Sequence, residues 1–233
     1  MPESPESQPN QSSDAIKAVI FDYGQVLARR PTAEEFGRMG EMFNVGPEAF
    51  YELWETSRGP YDRGDVSAEE YWLKMAAQTG SSIDGKQIEI LRKVEVEIWA
   101  HPDPAMLDWM DMLHTAGIKT ALLSNMPWDL IEHVRTHFKW MENFAFKTFS
   151  AEVRLIKPDG AIYQHTLKGL GLPAAETLFL DDRETNIRAA QTLGIQAIQF
   201  RSIGQLKDDL EALGFPVLPT AAHSSSDVQG ASR

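Results

Sequence analysis

The chain has 233 residues, of which 42% are hydrophobic and 24% charged; these are the proportions of an ordinary folded protein of one to two domains and not of a disordered chain. Its 22 Lys and Arg stand against 34 Asp and Glu, a net charge of −12, which repels phosphate backbones and argues against a nucleic-acid partner while leaving room for a small anion held locally. There is no cysteine, so disulfides, thiolate metal sites and thiol nucleophiles are out, and no apolar run reaches the length of a membrane span.

The opening stretch "MPESPESQPNQSSDA" has neither a basic start nor an apolar stretch, so no targeting leader is expected and the cytoplasm is the expected location. Residues 1–15 and 216–233, rich in small and polar residues, read as disordered tails. The first element is "AVIF", a short apolar run that ends at Asp22. From 31 to 100 the pattern turns helical, in "AEEFGRMGEMF", "SAEEYWLKMAAQTG" and "GKQIEILRKVEVEIWA", with no strand signal. Next, "DPAMLDWMDMLHTAG" puts Met106, Trp109, Met110 and Leu113 on one stripe and stops at Gly117. "TALL" then leads into Ser124 and Asn125, "KPDGAIYQHTLKGLG" is helical, and "TLFL" leads into Asp181 and Asp182. A last helix, "TNIRAAQTLG", and a last apolar run, "IQAIQF", close the series near residue 200.

Four short, continuous, partly β-branched runs separated by helices suit strands buried on both faces of a parallel sheet. The predicted fold is therefore α/β, a doubly wound, Rossmann-like core over residues 16–30 and 101–215 with a small helical cap of residues 31–100 inserted after the first strand. An insertion at that point hangs over the carboxyl edge of the sheet, where ligands bind in such folds, and reads as a lid. Parallel strands also bring their carboxyl ends to one edge. Asp22, Ser124 with Asn125, and Asp181 with Asp182 then converge, joined by Lys157 ahead of Pro158. One acid after an apolar run is usually a helix cap or turn residue, but a succession of them is not.

In chain order, "VIFDYGQVL", "LLSN", "IKPDGAIY" and "LFLDDRETN" resemble the four motifs of the haloacid dehalogenase superfamily of hydrolases. The segment "YDRGDVSAEEYW" at 61–72 is similar to cap segments in the branch that holds the N-terminal phosphatase of soluble epoxide hydrolase and bacterial sugar-phosphate phosphatases. The resemblance implies that Asp22 is a nucleophile forming an aspartyl phosphate. It implies that Mg²⁺ is held by Asp22, the carbonyl of Gly24 and Asp182, with Asp181 as an additional ligand or supporting partner. It further implies phosphate binding by the Ser124 hydroxyl, the Asn125 amide hydrogen and Lys157, the last aided by a helix expected to start at Pro158. Asn186, one helical turn past Asp182, is expected either to brace that loop or to be a plain surface amide.

The sequence departs from the family pattern at Gly24, where most of its phosphatases carry a second Asp that protonates the leaving alcohol. General acid catalysis is typically worth about 10²–10⁴ in rate, so either another group supplies the proton or the leaving group scarcely needs one, as in anomeric sugar phosphates and acyl phosphates. Asp62 and Asp65 of the cap are the candidate substitutes, although acidic loop residues are usually just solvated. Of the aromatics Tyr61, Trp72 and Trp128, the last, four residues after Ser124, is the expected wall of the substrate cavity; such rings are otherwise core. Tyr23 and Gln25 receive no role, and the six His show no pair at ligand spacing. The expected function is a Mg²⁺-dependent phosphatase acting on a small phosphorylated metabolite, with a sugar phosphate first among the substrates, as a monomer or homodimer that engages neither nucleic acid nor membrane. The alternatives are a 2-haloacid dehalogenase, whose displacement of halide needs neither the proton donor nor the metal, and a non-catalytic relative that binds a phosphorylated ligand.

Overall fold

The computed structural model describes residues 15–220, so most of both expected tails lies outside the described residues. Among the described residues there are five strands, β1 (Ala18–Phe21), β2 (Lys119–Ser124), β3 (Phe146–Phe149), β4 (Thr177–Asp181) and β5 (Gln196–Gln199). They form one sheet in the order β3-β2-β1-β4-β5, with every neighbouring pair parallel. The four expected runs are β1, β2, β4 and β5. β3 has no counterpart in the sequence reading, because it lies at the sheet edge and its Phe-Lys-Thr-Phe, half-buried over the first two residues, offers no continuous apolar run.

Between β1 and β2 the chain builds five helices of an inserted segment, α1 (Ala33–Gly40), α2 (Pro47–Ser57), α3 (Gly59–Asp62), α4 (Ala68–Thr79) and α5 (Gly85–Trp99). Three of them start on reciprocal caps, Thr32 with Glu35, Ser67 with Glu70 and Asp84 with Gln87, which satisfy backbone N–H groups that a helix start otherwise leaves open. The remaining helices flank the sheet: α6 (Pro104–Thr115), α7 (Trp128–His137), α8 (Ser150–Val153), α9 (Gly160–Leu170), α10 (Glu184–Thr192) and α11 (Ile203–Ala212). The stripe of α6 is buried as its spacing requires, with Met106, Trp109, Met110 and Leu113 all 0% exposed. Trp109 Nε1 also donates to the Val217 carbonyl, which pins the chain beyond α11. α9 begins at Gly160 after Asp159, not at Pro158 as expected.

Alternation along the strands divides two apolar cores. Ala18 and Ile20 of β1 face a cluster with Ile162, Tyr163 and Ile187 of α9 and α10. Val19 and Phe21 face the other way, into a cluster that takes in α6 and continues through Tyr23, Leu27 and Trp99 into Phe36, Phe50, Trp54 and Trp72 of the inserted helices. Burial on both faces is why β1 and β4 read as unbroken apolar runs. The inserted segment shares one core with the sheet face and therefore sits in a fixed place above the strand ends. No described helix is long and apolar enough to cross a membrane.

Candidate active site

The register sets the geometry. Phe21 pairs with Leu122 on one side and Leu180 on the other, so the next residue, Asp22, comes level with the end of β4, and its N–H donates to the Leu180 carbonyl. Asp22 Oδ1 accepts from the Tyr23 N–H at 2.7 Å and pairs with Lys157 Nζ at 2.9 Å. The same Nζ donates to Asp181 Oδ2 at 2.6 Å. Lys157 is itself held through its backbone: the Asn125 side chain accepts from its N–H at 2.8 Å and donates to its carbonyl at 3.0 Å. Asn125 is thus a brace for the lysine.

Asp181, fully buried, spends both its oxygens on protein donors: Lys157, the Arg183 N–H and the Asn186 side-chain amide. Asn186 is accordingly a brace, not a surface amide. Asp182 is freer, with its Oδ2 accepting from Gln25 Nε2 at 2.8 Å. One oxygen each of Asp22, Asp181 and Asp182 lies within 4.8 Å of the other two. Three carboxylates against one ammonium leave an excess of negative charge. Burial, with the neighbouring Asp181 and Asp182 charges, pushes the Asp22 carboxyl up to about 7 even against the pull of Lys157. Burial alone would lower the Lys157 ammonium, but Asp181 and Asp22 outweigh it and the net direction is upward. Asp182 is raised by burial and by the Asp181 charge.

This donor set fits a hard divalent cation, which takes carboxylate and carbonyl oxygens. Among the described residues no side-chain donor is bonded to the second oxygen of Asp22 or of Asp182, whereas Asp181 has none to spare. Asp22 and Asp182, with the adjacent Gly24 backbone, are therefore the groups able to face such an ion.

Asp22, Gly24, Ser124, Asn125, Lys157 and Asp182 all line one cavity of about 300 Å³. Its roof is the inserted segment. Arg58 of the turn between α2 and α3 grips Asp62 by two bonds of 3.0 and 2.7 Å, reaches Glu95, and stacks 4.0 Å over the Trp54 ring. Trp54 Nε1 donates to the same Glu95. Burial raises the Asp62 carboxyl to about 6 while Arg58 pulls the other way. Arg183, next to Asp182, forks onto Glu55 of α2 at 2.5 and 2.7 Å, and Arg92 of α5 forks onto Asp129 of α7 at 2.6 and 2.7 Å. These two bridges join roof to floor.

The departure at Gly24 coincides with close packing. A Cβ at residue 24 would stand 3.2 Å from Cζ3 of Trp99, so a side chain there requires the indole to give by a few tenths of an ångström. Trp128 is not a cavity wall. It is 53% exposed and packs by the 64 backbone, its Nε1 3.1 Å from where a Gly64 Cβ would be. Residues 125–127 are non-helical and α7 starts only at Trp128, so nearness in sequence to Ser124 does not bring the ring into the cavity. Tyr61 and Trp72 are core, at 3% and 0% exposure. Asp65 does not line the cavity; it is exposed and bound by Arg63. Contrary to expectation, two histidines do stand one turn apart: His133 and His137 of α7, rings stacked at 4.2 Å. The residues that sequence reasoning did not single out are Gln25, Trp54, Arg58, Trp99 and Arg183. Of these, Arg183 and Gln25 carried a signal, being neighbours of motif acids.

The pattern of the haloacid dehalogenase-like hydrolases matches residues 10–194. The chain belongs to that family. Among curated proteins it is 28% identical to the sesquiterpene phosphatase astK of Aspergillus oryzae over 182 residues, 77% of this chain and 87% of that protein. It is 24% identical to an (S)-2-haloacid dehalogenase of Pseudomonas fluorescens over 224 residues, 91% of this chain and 96% of the dehalogenase. Among solved structures, a HAD family enzyme of Bacteroides thetaiotaomicron in complex with magnesium and inorganic phosphate superposes with a TM-score of 0.63 at 23% identity, covering 80% of this chain and 95% of the other.

Proposed function

We propose that the protein is a Mg²⁺-dependent phosphatase that hydrolyses a small phosphorylated metabolite through an Asp22 phosphoenzyme. The observation that carries this reading is the cluster of Asp22, Asp181 and Asp182 around a single lysine, more negative charge than Lys157 can balance. Asp22 and Asp182, with the Gly24 carbonyl, would hold the cation, which when bound supplies positive charge to the phosphoryl oxygens. An Asp22 oxygen attacks phosphorus, the new O–P bond forms as the ester O–P bond breaks, and the alkoxide leaves. The Ser124 hydroxyl, the Asn125 N–H and Lys157 bind the phosphoryl oxygens. Water then hydrolyses the aspartyl phosphate and returns Asp22. With Trp99 packed over Gly24, no carboxylic acid stands at residue 24 to protonate the leaving oxygen, so substrates with good leaving groups are favoured.

The roof qualifies the leaving group. Its charged side chains Arg58, Asp62 and Glu95 are bonded to one another, and Trp54, Trp99, Met126, Leu130 and Ile156 supply apolar wall. A sugar phosphate would meet this wall at the edges of its indoles, since Trp54 and Trp99 stack on each other, and the same wall favours phosphates of apolar alcohols, in keeping with the sesquiterpene phosphatase among its relatives.

The test is hydrolysis of an aryl phosphate with Mg²⁺ or chelator, by the wild type and by Asp22→Asn. A loss of rate of about 10³-fold or more in the variant and in chelator is expected, from loss of the nucleophile and of the charge on the phosphoryl group; activity indifferent to both would overturn the reading. The family also holds dehalogenases at comparable identity, and a site without a general acid suits displacement of halide. Chloride release from a 2-haloacid in chelator would favour that chemistry, and thermal stabilisation by phosphorylated ligands without turnover would favour a binding protein.

A further inference from the structure

Gln25 combines two features that together need an explanation. Its φ is 59°, in the left-handed region that costs a non-glycine residue about 1–2 kcal/mol. Among the described residues the other two non-glycine residues of this kind, Asn44 and Arg154, each end a short helix, where that conformation is ordinary. Gln25 ends no helix. It lies in the turn just after Asp22, where glycine would be free of strain. Yet its side chain crosses to the loop after β4 and donates to Asp182 Oδ2 at 2.8 Å, a bond that glycine has no side chain to make and that asparagine has one methylene less to span. Strain at one residue that is spent on one contact inside a cavity is the pattern of a functional constraint.

We propose that Gln25 is a positioning residue that fixes the Asp182 carboxylate and thereby sets which divalent cation the site prefers. The inference rests on the reading that Asp22 and Asp182 face a divalent cation. An amide donor on Oδ2 occupies one carboxylate oxygen and locks the rotamer, so Asp182 offers a single oxygen. A small ion that demands octahedral geometry and takes carboxylates one oxygen at a time, such as Mg²⁺, suits that arrangement. Ca²⁺, with its larger shell and readiness to take both oxygens of one carboxylate, does not. Freed of the amide, Asp182 can turn and present both oxygens, and discrimination between the two ions collapses. Partners of this type typically change metal affinity by about 10- to 100-fold.

The experiment is calorimetric titration of Mg²⁺ and of Ca²⁺ into the metal-free wild type, Gln25→Gly and Gln25→Asn, with thermal midpoints recorded in chelator. Both variants relieve backbone strain and both lose the bond, so both should melt at or above the wild-type midpoint in chelator. Their Mg²⁺ affinity should fall about tenfold or more while the Ca²⁺ affinity holds or rises, and the ratio of apparent Mg²⁺ to Ca²⁺ affinity is the readout that a merely structural role would not move. Variants with the wild-type ratio would overturn the role of Gln25. A wild type that binds neither ion would overturn the cation reading itself, and with it this inference, so the two failures are told apart by the wild-type titration alone.

Discussion

Floor and roof of the cavity contain the same charge arithmetic and use it differently. On the floor Lys157 lies between Asp22 and Asp181; in the roof Arg58 lies between Asp62 and Glu95. Each is a buried cation flanked by two buried carboxylates. The roof triad is closed: the guanidinium fork engages both oxygens of Asp62, reaches Glu95 and rests on Trp54. The floor triad is open. Its cation is a point charge, a third acid, Asp182, stands beside it, and two carboxylates keep an oxygen free of side-chain donors. A cation between two acids is therefore a rigid strut in one place and, with a third acid beside it, a site with spare ligand capacity in the other, and the choice of Arg or Lys is part of the difference.

Removing each cation in turn is the strongest way to break the comparison. Arg58→Met strands Asp62 and Glu95 in the core, and Lys157→Met strands Asp22 and Asp181; breaking a buried pair in this way costs about 3–5 kcal/mol. In a chain of this size that corresponds to a fall in thermal midpoint of roughly 2–4 °C per kcal/mol. The two variants should part company when Mg²⁺ is added. A divalent cation compensates the floor acids and recovers much of the loss in Lys157→Met; in the roof Asp62 lines the cavity but Glu95 does not, so Arg58→Met should recover far less. Equal responses to Mg²⁺ would show that the two triads are not distinct in kind.

A smaller effect sharpens the contact between roof and floor at Gly24. Gly24→Asp places a side chain against the Trp99 ring, 3.2 Å from the new Cβ, and overpacking of this sort costs about 1–3 kcal/mol. Alone it should lower the thermal midpoint without speeding hydrolysis of an alkyl phosphate. Combined with Trp99→Val, which opens the space, it should raise that rate while the midpoint recovers relative to Gly24→Asp. A rate gain from Gly24→Asp alone, with no loss of stability, would show that the indole does not exclude a carboxylate there.

The floor was legible in the sequence because strand ends are fixed by local rules. A parallel sheet read from apolar runs delivers Asp22, Ser124 and Asp181 to one edge without further information, and the order of the motifs supplies Lys157. The roof was not legible for the opposite reason. Arg58, in a turn, and Glu95, on α5, are 37 residues apart, and nothing in either local pattern marks an arginine destined for the core. The Trp128 expectation failed at the same boundary between local and tertiary information: it rested on nearness in sequence to Ser124, and the loop 125–127 instead brings the ring beside the 64 backbone. β3 escaped because an edge strand with a lysine in it carries neither of the signals that identify a buried one.

The smallest effect separates both buried triads from an ion pair at the start of the roof, where Arg29 forks onto Glu35 at 2.9 and 2.5 Å. The Arg29 hydrogen bonds, together with the Thr32 N–H, hold the Glu35 carboxyl down at about 2 from its usual 4.5. Because the folded state binds this proton more weakly than the unfolded chain, the stability that Glu35 contributes is fully present above about pH 4.5 and is lost as the pH falls from there toward 2. The Arg29 side chain is 39% exposed, so the whole contribution is that of a surface pair, about 0.2–1 kcal/mol and weaker at high salt. Thermal midpoints of the wild type and Glu35→Gln should differ by a degree or two at pH 6, on the scale of roughly 2–4 °C per kcal/mol, and converge as the pH approaches 2. Arg58→Met, by contrast, should stay well below the wild type at pH 6 whatever the salt, since a desolvated triad is screened far less than a pair at the surface. A salt response in Arg58→Met as large as that in Glu35→Gln would mean that the roof triad is open to water after all.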